Sequence, residues 1–274
     1  MHKHIIIEMY SNTYLHPYVQ KNMNKLHKYP FNKNVEAINF LIQNPDKMHF
    51  DGLSLNENAM CILEMNPQFI NWNSLSSNKS AKYLLEINQD KIDWTKLSAN
   101  SGAIDLLRIN QEKINWSHLS TNENAIELLE NNLDKIDWSS LSWNVNAINI
   151  LERDPYKIDW MALSDNRNAI HLLEKNQHKI NWDWISTNPY AIKLIERNLD
   201  RINWLYLSEN PNAIHILKQY PEKINWNLLS RNPNAMDLLL ENPEKICWQG
   251  FSENPSIFVK QKRTKSAASC IKLF

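Results

Sequence analysis

The sequence predicts an all-α fold, a solenoid of about ten stacked 22-residue helix-pair repeats. Three observations predict it. Tryptophan stands at Trp72, Trp94, Trp116, Trp138, Trp160, Trp182, Trp204, Trp226 and Trp248, always 22 residues apart, with Phe50 one step earlier. A fixed period in this range marks a stack of supersecondary units that bury their apolar faces on one another. A second column, asparagine from Asn56 to Asn254, precedes apolar residues at helical spacing, as in Ala81, Leu84 and Leu85 or Ala125 and Ile126. Such offsets cover a broad arc of a 3.6-residue helix. Third, Asn188–Pro189, Asn210–Pro211 and Asn232–Pro233 set a capping residue before a proline, the chemistry of a helix start.

In chain order, residues 1–31 form a short lead, where Ile5–Ile7 pack on the first repeat, and a degenerate capping repeat. Its Tyr18, Val19 and Leu26 fall one period before Phe40, Leu41 and Met48; terminal repeats are often atypical. Residues 32–258 form the array. In each unit a helix of about ten residues follows the first Asn. It ends at a second Asn (Asn88, Asn110, Asn176, Asn198), a residue that tolerates a left-handed cap. The phrase Lys-Ile-Asn/Asp-Trp then opens a shorter helix capped by the Asx residue, with Trp and the Leu three later on one face. After Trp248, Ser252, Asn254, Pro255, Ile257 and Phe258 start one more helix, and 259–274 form a basic tail. The competing fold is a leucine-rich-repeat-like α/β solenoid, in which Ile-x-Trp is a strand and the Asn column an inward ladder. The order Ile-x-Trp-x-x-Leu-x-x-Asn and the prolines after Asn weigh against it. An extended stack of about ten layers at helix-packing distance is about 80–100 Å long.

Composition excludes several functions. With 30 basic and 30 acidic side chains and a pI near 7.1, the chain lacks the basic stripe of a nucleic-acid binder or the polybasic patch of a membrane-surface protein. Cys61, Cys247 and Cys270 are odd in number and match no zinc or redox spacing, so we expect a reducing, intracellular setting. No phosphate loop, catalytic triad or metal-ligand spacing is present, which predicts no enzyme, no cofactor and no metal. His171 and His215 share a repeat position two units apart, too distant for one metal. The Glu and Lys columns (Glu64 to Glu196, Lys91 to Lys179) read as a solvated charged face, and the Trp column as packing. On that reading Trp138→Ala costs about 3–5 kcal/mol. The run 260–265, KQKRTK, is similar to a short nuclear-import motif.

The informative positions are those where the repeats differ. The two residues after each tryptophan are polar early in the array and turn apolar later, at Met161, Trp184, Leu205, Tyr206 and Leu228. Trp184 and Trp143 are the two tryptophans outside the ladder. Equivalent positions line up along one side of a stack, so these five residues are the candidate surface for a protein partner. The alternative is that they thicken the core or cover a neighbouring helix. The phrase at 223–245, KINWNLLSRNPNAMDLLLENPEK, resembles a tandem-repeat family of giant DNA viruses of amoebae, over about residues 32–258. The resemblance implies a viral protein, in the host cytoplasm or the virion, and carries no catalytic residue. The expected function is a non-enzymatic scaffold for protein–protein interaction; the alternative is a structural component of a virus particle. Self-association remains open on either reading.

Overall fold

The structure, a computed structural model, describes residues 13–260. The lead with Ile5–Ile7, Cys270 and residues 261–265 of the basic run lie outside the described residues. Nearly everything described is helical, in pieces of three to six residues. One unit illustrates the rest: a tryptophan helix Trp138–Trp143, a turn, a leucine helix Ile148–Arg153, a 3-10 turn Pro155–Lys157, and an extended Ile158 leading to the next Asx. The Asx residue caps as expected. The Asn71 carboxamide accepts the Ser74 N–H at 3.0 Å, and Asp93 accepts that of Lys96 at 3.1 Å, satisfying donors that a helix start leaves orphaned.

The expected ten-residue helix is shorter, and the cause is local. Asn144 accepts the Asn146 N–H with its side chain and the Ala147 N–H with its carbonyl, closing a separate turn. Ala147 then sits at φ −91°, ψ 8°, and the α-helix starts only at Ile148. The second Asn is not left-handed. Asn88 has φ −134°, ψ 48°, and its Nδ2 donates to the Leu84 carbonyl at 2.9 Å, which satisfies an orphan helix carbonyl without a positive φ.

Short helices leave many unpaired carbonyls, and two buried polar columns take them up. Asn78 Nδ2 donates to the carbonyls of Ser54 and Asn56 in the preceding unit, at 3.0 and 3.1 Å. The pattern repeats at Asn100, Asn122, Asn144, Asn166, Asn210, Asn232 and Asn254. Ser76 Oγ donates to the Trp72 carbonyl at 2.8 Å and accepts the Asp93 N–H of the next unit at 3.0 Å. Both columns are fully buried. An asparagine ladder therefore exists, but between helices. Among the described residues the only strands are β1 (Thr13–Leu15) and β2 (Phe258–Lys260).

These two strands pair antiparallel, Tyr14 opposite Val259, and bring the ends of the array together. The bonds that join neighbouring units also join the last unit to the first. Asn34 Nδ2 donates to the Asn254 carbonyl at 3.0 Å, and the His27 N–H to Ser252 Oγ at 2.9 Å. The His16 N–H donates to the Ile257 carbonyl at 2.8 Å, as though the chain ran on from 257 to 16. Residues 28–49, 50–71 and so on to 226–247 are ten 22-residue units; 248–257 together with 16–27 make an eleventh of the same length from both ends of the chain. The array is closed, which corrects the extended rod. Closure after eleven units needs a mean rotation of about 33° per unit. The helix expected after Asn254 is replaced by a 3-10 turn, Pro255–Ile257, and β2, because its slot is filled by the helix Pro17–Lys21.

The leucines and isoleucines form one continuous core. The ladder tryptophans pack against it but are only half-buried. In most units a basic side chain near the end of the same unit covers the exposed indole face: Lys91 over Trp72 at 4.7 Å, Lys113 over Trp94 at 4.4 Å, Arg201 over Trp182 at 4.3 Å. Phe69 does the same for Phe50, and Tyr220 for Trp204. The lysine column is thus packed on aromatic rings, which corrects its reading as a merely solvated face. No described helix is long and apolar enough to cross a membrane.

Candidate partner surface

The tryptophan helices pack directly on those of the neighbouring units, so the residue five after one tryptophan and the residue two after the next compete for one space. At several steps their sizes are reciprocal. Large Arg231 faces Gly250, where an added Cβ would lie 2.8 Å from Arg231 Cγ. Large Trp143 is followed by the fully buried Ala162. Where the first residue is small, the second is large: Ala99 with His118, Asp165 with Trp184, Thr187 with Tyr206. The positions expected to be free are therefore half of a packed pair.

The candidate residues nonetheless remain open to solvent. Met161 is 48% exposed, Leu205 45%, and Trp184 and Tyr206 38% each. Leu228 is only half-buried and does not belong to the exposed set. Trp184 is the centre of the group. Its ring meets Trp143 edge-on at 4.9 Å and lies parallel to Tyr206 at 6.5 Å. Trp143, outside the five candidates, thus belongs to the patch and reaches across an entire unit. At the positions equivalent to Met161 and Leu205 in earlier units stand Asn73, Thr95, Ser117 and Ser139, and Asn73 and Ser139 bond Asp93 and Asp159 instead. At those equivalent to Trp184 and Tyr206 stand Ser74, Lys96, His118 and Ser140.

One acid lies in the patch. Asp165 follows Trp143 in its column, and its carboxylate accepts from Thr187 Oγ1 at 2.8 Å; the same hydroxyl bonds the Trp184 carbonyl. Burial holds the Asp165 carboxyl above the usual carboxylate range, opposed only by the Thr187 bond. The other shifted acids behave in the opposite way. Asp137, a helix cap, is lowered by the Ser140 N–H, and Asp105 by its bond to Lys82.

A second apolar run escaped the sequence reading. Met65, Ile87 and Ile109 occupy the same position at the end of three successive leucine helices and are more exposed than the patch, Ile109 reaching 74%. The signal was present as an apolar residue just before the second Asn in those units alone, where later units carry Arg153, Lys175 and Arg197. His171 and His215 are exposed and each faces a carboxylate, Glu152 at 3.2 Å and Glu196 at 2.8 Å. Among the described residues no group of three or more His, Cys, Asp or Glu could hold a metal ion. No protein-family model, no curated protein and no solved structure matches the chain.

Proposed function

We propose that this protein is a non-enzymatic scaffold, a solenoid of helix-pair repeats closed on itself, that holds a protein partner on the patch around Trp184. One observation carries the reading. Met161, Trp184, Leu205 and Tyr206 stay exposed on three adjacent units, large and apolar or aromatic where the earlier units carry mostly polar residues. Exposed aromatic and aliphatic side chains grouped on a rigid frame are the usual anchors of an interface. The frame needs none of the four for its own ladders, which run on backbone, Asn and Ser.

A second reading, a structural part of a virus particle, is favoured by the separate exposed run of Met65, Ile87 and Ile109. Two apolar surfaces on different helices of the units suit a subunit that touches more than one neighbour. The resemblance of the repeat phrase to proteins of giant amoebal viruses supports a viral setting for either reading.

The test is affinity capture from producing cells with the intact protein and with a Trp184→Ala, Tyr206→Ala variant whose melt confirms folding. A specific partner lost with the variant supports the scaffold. Recovery of only the protein itself or of particle components, unchanged by the variant, favours the structural reading and removes the patch as the site.

A further inference from the structure

The patch contains an acid that no basic group among the described residues answers. Thr187 is the only hydrogen-bond partner of Asp165 among the described residues, and no ion pair reaches it. The nearest basic residue in sequence, Arg167, is turned to Glu123 at 3.6 Å. Lys157, on the preceding unit, and Lys179, on the same unit, are held over Trp138 and Trp160. The frame does not require an acid here. An Asn would accept the Thr187 hydroxyl equally well, and the reciprocal packing asks only for a small residue beneath Trp184. A partly buried carboxylate without a counter-charge costs stability, while an opposite charge brought beside it restores the balance.

The surroundings fit a particular cation. Trp143 and Trp184 meet at 87° with ring centres 4.9 Å apart, and the Thr187 hydroxyl that bonds Asp165 also bonds the Trp184 carbonyl, so Asp165 sits beside an aromatic pair presented in two orientations. Elsewhere the chain uses the same chemistry on itself, laying Lys or Arg on an indole in most units, with Arg201 over Trp182 at 4.3 Å. Trp143 and Trp184 receive no such cation from the described residues. Exposed Met161, Leu205 and Tyr206 beside them would cover the methylenes of a long side chain.

We propose that Trp143, Asp165 and Trp184 form a binding site for an arginine side chain of the partner protein, its guanidinium stacked on the indole and paired with the Asp165 carboxylate. A planar guanidinium does both at once, which an ammonium does less well. The proposal rests on the reading of this patch as the partner surface and adds the chemistry of what enters it.

The test titrates N-acetyl-arginine methylamide into the intact protein at fixed ionic strength, with the neutral isostere N-acetyl-citrulline methylamide as control, and follows the indole N–H resonances of Trp143 and Trp184. We expect saturable shifts of these two indoles with arginine, at about millimolar concentration or above as befits one side chain, and none with citrulline. Asp165→Asn, which keeps the Thr187 bond, weakens the response about tenfold. Equal response to citrulline, equal response in Asp165→Asn, or no saturable shift with arginine overturns the proposal. The two readings fail separately: a captured partner lost in Trp184→Ala, Tyr206→Ala but retained in Asp165→Asn leaves the surface standing and removes the arginine site.

Discussion

Asn144 shows what one side chain does in this array. Its Oδ1 accepts the Asn146 N–H in a part-buried bond, and its Nδ2 donates to the buried Ser120 and Asn122 carbonyls at 3.0 and 2.8 Å. Removing it strands one donor and two acceptors, each costly to leave unpaired. Asn144→Ala is expected to cost about 3–5 kcal/mol, read by denaturant unfolding; a loss below about 1 kcal/mol would show that water replaces the ladder. Trp138, half-buried under Lys157, should matter less than a fully buried tryptophan: Trp138→Ala is expected to cost about 2–3 kcal/mol, at or below the floor of the usual core range. Asp165 has the opposite sign. Its folded carboxyl titrates above its unfolded value because of burial, so its contribution is greatest at acid pH and is lost as pH rises through the raised value. Asp165→Asn should therefore raise the melting temperature at neutral pH, with the gain shrinking toward acid pH. A gain independent of pH would assign the effect to packing instead.

At the scale of the element, the tryptophan helix is specified by its cap and by its neighbour. The Asx cap, the Trp and the Leu three later were legible from period and residue type, because each acts within one turn. The shortness of the leucine helix was not. It follows from Asn closing its own turn ahead of Ala, a geometry that a helical apolar pattern does not distinguish from a continuous helix. Nor was the reciprocal packing of positions five and two after successive tryptophans, because residues 19 apart come together only once the rotation between units is known. That packing is testable. Ala162→Phe should clash with Trp143 and cost about 1–3 kcal/mol, and Trp143→Ser should relieve most of this in the double variant. Additive losses would mean that the two residues do not share a space. The candidate site was legible to the same degree: Met161, Trp184, Leu205 and Tyr206 stood out against polar equivalents, while Leu228 and Trp143 were misjudged for want of their neighbours.

At the scale of the molecule, the decisive feature is that neither end of the array is a free end. In an open stack of repeats the terminal units bury only one face. Here residues 16–27 lack the first half of a unit and 248–257 lack the second, and the two halves complete each other through Ser252, Asn254 and Trp248. Tyr18 stacks on Trp248, and Lys33 pairs with Glu253 across the same seam. Period alone could not announce this, since it states how many units there are and not the angle between them. The closed frame leaves the patch on units that each have a neighbour on both sides, so on the proposed reading a partner would meet a surface already in place. The most direct test of closure is disulfide formation between Tyr14→Cys and Val259→Cys, which face each other in the strand pair, with the native cysteines changed to serine and the protein dilute. Closure predicts a bond within one chain, seen by mass spectrometry in the monomer. Free thiols, or bonds only between chains, would contradict it.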